Sequence, residues 1–201
     1  MTLRDQVLHE PTWDIVQLFP PQGMWSESEY LSLDTNRLVE FSHGTIEILP
    51  MPSRFHQEIV LALCFLLRTF MRHSGRGGSA VVAPFSVQLW DGKYREPDIV
   101  YMLPEHAARE KETYWEGADL VMEVISPDDP SRDTVVKRRE YAQAGIPEYW
   151  LVDPASAEIA VLTLTHDRYE LHGLYGQGDT AVSALLPGFS VDVTALFDQP
   201  R

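Results

Sequence analysis

The sequence predicts a single α/β (α+β) domain in which helices flank a central mixed β-sheet. Three observations support this fold class: helix and strand patterns alternate along the chain, one strand is apolar almost throughout, and no linker divides the chain. Of the 201 residues, 44% are hydrophobic and 23% are charged. This length and composition are typical of one globular domain with a substantial core.

The start of the chain predicts an arm and a short helix. Residues 1–25 contain several prolines and are expected to form an irregular N-terminal arm ahead of a domain at residues 26–201. Ser26 followed by Glu29 is a capping-box signal, which predicts a helix from Ser26 to Leu33.

A hairpin and a long helix follow. Residues 38–49 alternate between polar and apolar side chains on both sides of a His-Gly pair, which predicts a β-hairpin. In that register Glu40 lies opposite Glu47, an unfavourable pair unless solvent or a cation offsets the repulsion. Residues 54–73 predict a helix that is apolar nearly all round its middle and is therefore expected to be buried on every side.

Most of the predicted strands lie in the second half of the chain. Residues 80–89 and 96–102 are rich in β-branched and apolar residues, which predicts two strands. Residues 118–126 form a near-continuous apolar run, typical of a central strand covered on both faces. A helix that ends at Gly145 follows it. The remaining strands are predicted within residues 148–152, 158–165, 168–175 and 189–197.

Charge and motif content argue against several classes of protein. The net charge of −14 is unlike that of an architectural nucleic-acid binder, so contact with nucleic acid would need a local basic patch or metal ions. The single cysteine, Cys64, argues against a disulfide framework or a cysteine-rich zinc site. No P-loop, HExxH or GxSxG motif is present. No segment resembles a signal peptide or a membrane span, so a soluble, cytoplasmic protein is expected.

Two acidic residues interrupt apolar strands and are the leading candidates for a functional site. Glu123 lies in the middle of residues 118–126, and Asp98 lies directly before the apolar part of residues 96–102. A buried carboxylate without a partner is costly, so such groups pair, stay neutral or bind a metal. If the two strands are neighbours, the two acids meet and form an oxygen site suited to Mg²⁺ or Mn²⁺. The alternative for Glu123 is an arginine partner or a loop N–H group.

Lys137 is the lysine that could serve this pair of acids. It lies one turn into the helix that follows the Glu123 strand, so a strand–loop–helix return can bring it near Glu123. It can equally form an i,i+4 ion pair with Asp133, which is worth only a few tenths of a kcal/mol. From the residues alone both interpretations remain open.

These segments resemble the Uma2 family, whose members are classed as endonucleases of the restriction-endonuclease-like PD-(D/E)XK superfamily. The resemblance is carried by EPDIVYM at 96–102, GADLVMEVISP at 117–127 and YAQAGIPEYWLVDP at 141–154. In addition, LVEFSHGTIEILPM at 38–51 resembles the family's Glu-containing hairpin. The resemblance extends over residues 26–197 and implies a restriction-endonuclease-like fold.

The resemblance implies a role for each matching residue. Asp98 and Glu123 would be the metal-binding acids, with the backbone carbonyl of Val124 as a further ligand and Mg²⁺ or Mn²⁺ as the cofactor. Ile125 stands where the superfamily's lysine is expected. The next helix would supply that lysine as Lys137, which would orient the attacking water or stabilise the phosphate.

Further polar residues match the family's site less specifically. His56 matches the histidine that opens the long helix and could carry a proton or contact a phosphate near neutral pH. Glu40 could join the metal shell or hold Lys137. Basic side chains that could contact backbone phosphates are Arg68, Arg72, Arg76, Lys93 and Arg95.

The expected function is therefore metal-dependent hydrolysis of phosphodiester bonds in nucleic acid, with DNA as the expected substrate. One alternative is a module on a nuclease scaffold that binds nucleic acid or protein without turnover; another is a hydrolase of small phosphodiesters. A homodimer is also predicted, because cutting two strands commonly uses two copies of one site. Candidate contacts in the arm are Trp13, Phe19 and Trp25.

Overall fold

The computed structural model describes residues 19–35 and 37–198, and its strands form two main sheets. In chain order the strands are β1 (Val39–Ser42), β2 (Thr45–Ile48), β3 (Ser79–Val82), β4 (Ser86–Trp90), β5 (Lys93–Arg95), β6 (Ile99–Met102), β7 (Tyr114–Glu116), β8 (Leu120–Val124), β9 (Glu148–Asp153), β10 (Glu158–Thr165), β11 (Arg168–Tyr175), β12 (Thr180–Val182) and β13 (Ser190–Asp192).

The helices are fewer and lie on the faces of these sheets. They are α1 (Glu27–Leu31), α2 (Arg54–Ser74), a 3₁₀-helix (Pro104–Arg109), a π-helical segment (Arg132–Lys137) that continues as α3 (Arg138–Gln143), and α4 (Val193–Phe197).

The central sheet has six strands in the order β11-β10-β9-β8-β6-β3, and only β8 and β9 within it are parallel. Strand β8 is buried along its whole length, as its apolar run predicts. Its alternating side chains serve two cores: Leu120 and Met122 pack with α2, while Val121 packs with Tyr141 of α3. The predicted fold class, a mixed sheet flanked by helices, is confirmed.

A second, five-stranded sheet has the order β2-β1-β5-β4-β7. The sequence pattern predicted one strand over residues 80–89, but the chain forms two strands there, separated by a cis Ala83–Pro84 peptide bond. Strand β3 joins the central sheet and β4 joins the second sheet. Proline carries no N–H donor for a β-ladder, so an unbroken strand through Pro84 was not to be expected.

The hairpin and the first helix form as predicted. In the hairpin Glu40 pairs with Glu47 and Phe41 with Ile46. At the start of α1 the capping box is complete, because Ser26 and Glu29 each bond the other's backbone N–H group. Local patterns were therefore sufficient to define both elements.

The structure describes only residues 19–25 of the predicted N-terminal arm. Residues 1–18, including Trp13, lie outside the described residues. The N–H groups of Gly23 and Trp25 both donate to the carbonyl of Gly44 in the hairpin turn, at 2.7 and 3.1 Å. Trp25 is buried within its own domain, whereas Phe19 is half exposed and stacks on it at 5.8 Å. Trp25 is thus not available as a contact with a second copy.

The prediction that α2 is buried on every side is wrong. Ile59, Leu63 and Leu67 face the central sheet, but Leu61 is 59% exposed and Phe65 is 65% exposed. Only one face of the helix meets the sheet, so the apolar residues on the opposite face remain uncovered. Of the helices that the structure describes, none is both long and apolar enough to cross a lipid bilayer.

Candidate active site

Asp98 and Glu123 meet at one end of the central sheet. Strands β6 and β8 are antiparallel neighbours, with Ile99 opposite Met122, so the residue before β6 lies beside the end of β8. The Asp98 carboxylate accepts a hydrogen bond from the Val124 N–H group at 2.8 Å, and the Asp98 N–H group lies 3.4 Å from Glu123 Oε2. The two acids that the sequence singled out are therefore adjacent, as the apolar strands around them suggested.

Lys137 lies against Glu123 on the face of the sheet covered by α3. Glu123 Oε1 accepts hydrogen bonds from Lys137 Nζ at 2.8 Å and from the Tyr141 hydroxyl at 2.6 Å. Lys137 Nζ also lies 3.2 Å from Asp133 Oδ1, so it makes both of the contacts that the sequence left open. Asp133, Lys137 and Tyr141 are spaced four residues apart and hence share one side of the helix.

Burial governs the protonation of this pair. Burial raises the pKa of Glu123 to about 8, although the Lys137 ammonium acts in the opposite direction; the charges of Asp133 and Asp98 add to the rise. Burial alone would lower the pKa of Lys137, but the surrounding carboxylates, Glu123 foremost, raise it overall. Lys137 therefore stays charged, and Glu123 lies where negative charge is in excess.

Glu40 is buried among cations. Its carboxylate contacts Arg95 and Arg132, and Lys137 Nζ lies 3.7 Å away. Burial by itself raises the pKa of Glu40, but Lys137, Arg95 and Arg132 more than offset this and lower it to about 2. Of the two roles considered for Glu40, holding Lys137 agrees with this geometry, because its carboxylate is already engaged by three cations.

Arg132 resolves the like-charge pair in the hairpin. Its guanidinium contacts Glu40 and also reaches Glu47 Oε2 at 3.1 Å. The pairing of Glu40 with Glu47 required a counter-charge, and Arg132 supplies it from 92 residues further along the chain. Sequence reasoning missed Arg132 because nothing local indicates which cation reaches the hairpin. Tyr141 was also missed, although its four-residue spacing from Lys137 was a usable signal.

His56 lies in the first turn of α2, directly over Asp98. Ser53 caps this helix by accepting the His56 N–H group at 3.2 Å, which helps to orient the turn. His56 Nε2 is 3.1 Å from Asp98 Oδ2. Burial alone would lower the pKa of His56, but the contact with Asp98, the charge of Glu123 and the Val124 backbone raise it overall. Its Nδ1 atom is buried and has no hydrogen-bond partner within the described part of the chain.

The five basic residues proposed to contact phosphates divide into two groups. Lys93 and Arg95 are buried and paired with Glu140, at 2.8 and 2.7 Å, so they are not available to a phosphate. The other three are exposed at the far end of α2 and in the loop that follows: Arg68, Arg72 and Arg76. The sequence could not separate the groups, because burial depends on how β5 packs.

The donors at this site fit a hard divalent cation held in part by water. Across residues 19–35 and 37–198, no group of three or more His, Cys, Asp or Glu side chains is arranged to hold a metal ion. The carboxylates of Asp98 and Glu123 lie together at the end of β8, and the Val124 backbone, which contacts His56, is beside them. Mg²⁺ is commonly bound through one or two carboxylates together with water and substrate phosphates, so this donor set suits it.

Comparisons with known proteins agree with the fold. The model of the Uma2 family, described as "Putative restriction endonuclease", matches residues 26–194. A crystal structure of a "putative nuclease belonging to DUF820" from Anabaena variabilis ATCC 29413 superposes with a TM-score of 0.68 at 19% sequence identity. The alignment covers 86% of this chain and 97% of that one. No curated protein matches the chain significantly.

Proposed function

The chain belongs to the Uma2 family, and we propose that it is a Mg²⁺- or Mn²⁺-dependent endonuclease that hydrolyses phosphodiester bonds, with DNA as its substrate. The observation that best supports this is the pair of acids, Asp98 and Glu123, brought from two neighbouring strands to one point beside a buried lysine. A purely structural ion pair needs one acid and one base, not two adjacent acids beside one lysine.

In this proposal Asp98, Glu123 and the Val124 carbonyl hold the ion. When bound, a divalent cation polarises the phosphate, lowers the pKa of an attacking water and offsets developing negative charge. Lys137 presents an ammonium group that stays protonated, so it acts as a hydrogen-bond donor to water or phosphate and not as a base.

The remaining residues position these groups. Glu40 and Asp133 hold the Lys137 ammonium, and the Tyr141 hydroxyl fixes Glu123 Oε1 so that Oε2 is left for the cation. His56, in contact with Asp98, is placed to donate a proton or to orient that carboxylate. Arg132 and Arg95 neutralise the Glu40 carboxylate and thereby keep the β1–β2 hairpin packed against the site.

A second candidate is a nuclease scaffold that binds nucleic acid or protein without turnover. The residue two positions after Glu123 is Ile125, where the superfamily's pattern has lysine, and the net charge of −14 opposes contact with a polyanion. The two candidates differ in whether phosphodiester bonds are broken, which a cleavage assay measures directly.

The test is cleavage of supercoiled, linear and single-stranded DNA and of RNA in Mg²⁺, Mn²⁺ or EDTA. Asp98→Asn and Glu123→Gln are compared with Glu170→Gln, which removes the same charge from an exposed strand position. We expect metal-dependent cleavage that both site variants lose and the control retains. Absence of cleavage on every substrate, together with no Mn²⁺ binding by calorimetry, would leave the binding module as the better description.

We also propose a homodimer, so that two copies of the site act on two strands. Of the arm residues considered as contacts, Phe19 is the one that remains partly exposed in the described structure. Sedimentation across a concentration series should show a species of twice the monomer mass; a monomer at all concentrations would contradict this part of the proposal.

A further inference from the structure

The uncovered face of α2 changes character along its length. Leu61, Phe65, Arg68 and Arg72 are spaced by four, three and four residues and therefore lie on one side of the helix, opposite the side that packs on the sheet. All four are exposed. The face is thus apolar in the middle of α2 and strongly basic toward its end.

This face borders a groove. A depression of about 540 Å³ is lined by Phe65, Arg68, Met71 and Arg72 on one side and by the glycine loop after α2 on the other. At Gly78, which has a φ of +89°, a Cβ atom would lie 2.5 Å from the Met102 carbonyl oxygen. Glycine is therefore required there, and Gly75, Gly77 and Gly78 line the groove without side chains.

The groove carries uncompensated positive charge. Within the described residues Arg68, Arg72 and Arg76 form no salt bridge, whereas the buried cations of the candidate active site are all paired. An adjoining depression of about 520 Å³ shares Arg68, but it also contains Glu110 and Glu112. Arg68 and Arg72, which line the groove and are unpaired in a protein of charge −14, mark its helical side as the part suited to an anionic ligand.

We infer that this groove binds a single-stranded segment of nucleic acid, with a base stacked on Phe65 and phosphates held by Arg68 and Arg72. The inference rests on the proposed function for the nature of the substrate. Basic grooves that contain exposed aromatic rings bind single strands, because unpaired bases offer faces for stacking while arginines follow the backbone. The outside of a duplex offers phosphates and sugars but no base face to an exposed ring.

The groove is separate from the acid cluster, and both its distance along α2 and its side of the helix differ. Phe65 is nine residues after His56 in the same helix, about 14 Å along its axis, and Arg72 is about 24 Å along it. Nine residues are also about two and a half turns, so Phe65 lies on the opposite side of α2 from His56, and a strand with a phosphate at Asp98 would have to pass around the helix to reach the groove. The groove would hold the substrate without taking part in the chemistry.

The first test measures binding of a fluorescent single-stranded DNA 20-mer to the full chain in EDTA, over a range of salt concentrations. Arg68→Gln/Arg72→Gln should weaken binding about tenfold and reduce the slope of log K against log salt by about 1.4, since each phosphate contact to a single strand contributes about 0.7. The control, Arg139→Gln/Arg168→Gln, removes the same charge from exposed positions elsewhere. Equal weakening by the two double variants would overturn the inference, as would a matching duplex that binds as tightly as the single strand.

The second test isolates stacking. Phe65→Ala should weaken binding about fivefold or more, whereas Leu61→Ala, on the same exposed face, should change it less than twofold. Equal effects would overturn the stacking assignment. An exposed apolar helix face can also contact a second copy of the chain, and sedimentation of both variants tests this alternative. If the wild type is a dimer that both substitutions dissociate, the face is a dimer contact and the inference is wrong.

The outcomes separate this inference from the proposed function. Binding in EDTA requires no cleavage, so an inactive protein with a functional groove would refute the endonuclease alone. Active enzyme whose groove variants bind like the wild type would refute the groove alone. A ribonucleotide 20-mer assayed in parallel reports whether the groove distinguishes RNA from DNA.

Discussion

Two buried glutamates on neighbouring parallel strands have different environments. Glu123 lies within the apolar strand β8 and is 2% exposed, and Glu148 begins the apolar strand β9 and is 1% exposed. Glu148 is surrounded by neutral donors fixed in place, which fully occupy its carboxylate. These donors are Trp150 Nε1 at 2.7 Å, Ser183 Oγ at 2.6 Å and the backbone N–H groups of Ala184 and Leu185, each at 2.7 Å.

Glu123 has the opposite kind of environment. Its partners are a charged lysine and a tyrosine hydroxyl, both on Oε1, and a second acid, Asp98, lies beside it. Glu148 ties the segment before β13 to the central sheet, which is a structural task. Burial of an acid in an apolar strand thus does not reveal its role; the charges of the groups around it do.

The largest expected effect is a difference in cleavage activity between variants of Glu123 and Glu148. Glu123→Gln should reduce cleavage at least about a thousandfold and abolish Mn²⁺ binding, because loss of the metal's charge stabilisation costs several kcal/mol. Glu148→Gln, assayed at a temperature where it is folded, should retain activity within about fivefold. Cleavage rates and calorimetric titration with Mn²⁺ check both expectations, and similar losses in the two variants would contradict the functional distinction.

The next effect concerns Lys137. Lys137→Gln should lower the cleavage rate by about 10²- to 10³-fold, as expected when one donor to the transition state is removed, while Mn²⁺ affinity changes by less than about tenfold. Lys93→Gln is the matched control, because Lys93 is also buried and paired, but with Glu140 and not with Asp98 or Glu123. If Lys93→Gln is as inactive as Lys137→Gln, the loss reflects structure and not catalysis.

The third expected effect is on stability, where Glu148 is the residue expected to matter. Glu148→Gln places an amide donor among groups that themselves donate hydrogen bonds, so it should lower the free energy of unfolding by about 3 kcal/mol. The exposed control Glu170→Gln should change it by less than about 0.5 kcal/mol. Urea unfolding followed by tryptophan fluorescence measures both. A Glu148→Gln protein as stable as the wild type would show that the four hydrogen bonds contribute little.

The smallest effects lie in the pH dependence of stability without metal. The pKa of Glu40 is lowered from 4.5 to about 2, so Glu40 stabilises the fold above pH 4.5 and loses this contribution as the pH falls toward 2. The pKa of Glu123 is raised from 4.5 to about 8, so its contribution is greatest below pH 4.5 and is lost as the pH rises through 8.

Two variants test these opposite signs. In EDTA, Glu40→Gln should flatten the stability curve on its acid side, and Glu123→Gln should flatten it between about pH 5 and 8. Urea midpoints measured from pH 3 to 9 provide the curve. If both variants alter the same side of the curve, the two carboxyl groups do not have the opposed environments described above.

Much of the fold was predictable because its signals are local. Strand alternation and a turn pair set the register that places Glu40 opposite Glu47, and a continuous apolar run identified β8 as central. The meeting of Asp98 and Glu123 followed from related reasoning, since each acid interrupts an apolar strand and the two strands prove to be neighbours.

Other features depended on partners distant in sequence. Arg132 reaches Glu40 across 92 residues, and Lys93 and Arg95 are buried by pairs with Glu140 that no spacing indicates. The exposed face of α2 was also unpredictable, because the apolar pattern of a helix does not show how many other elements will pack against it.

By itself the sequence determined most of the helices and strands, the register of the hairpin, the central strand and the two acids of the candidate site, because periodicity and apolar runs act between residues close in the chain. Only the tertiary structure decided which buried glutamate is committed to holding the fold and which faces a lysine and a second acid. The physical reason is that a carboxylate's role depends on the donors and charges packed around it, and those are supplied by elements from the whole chain.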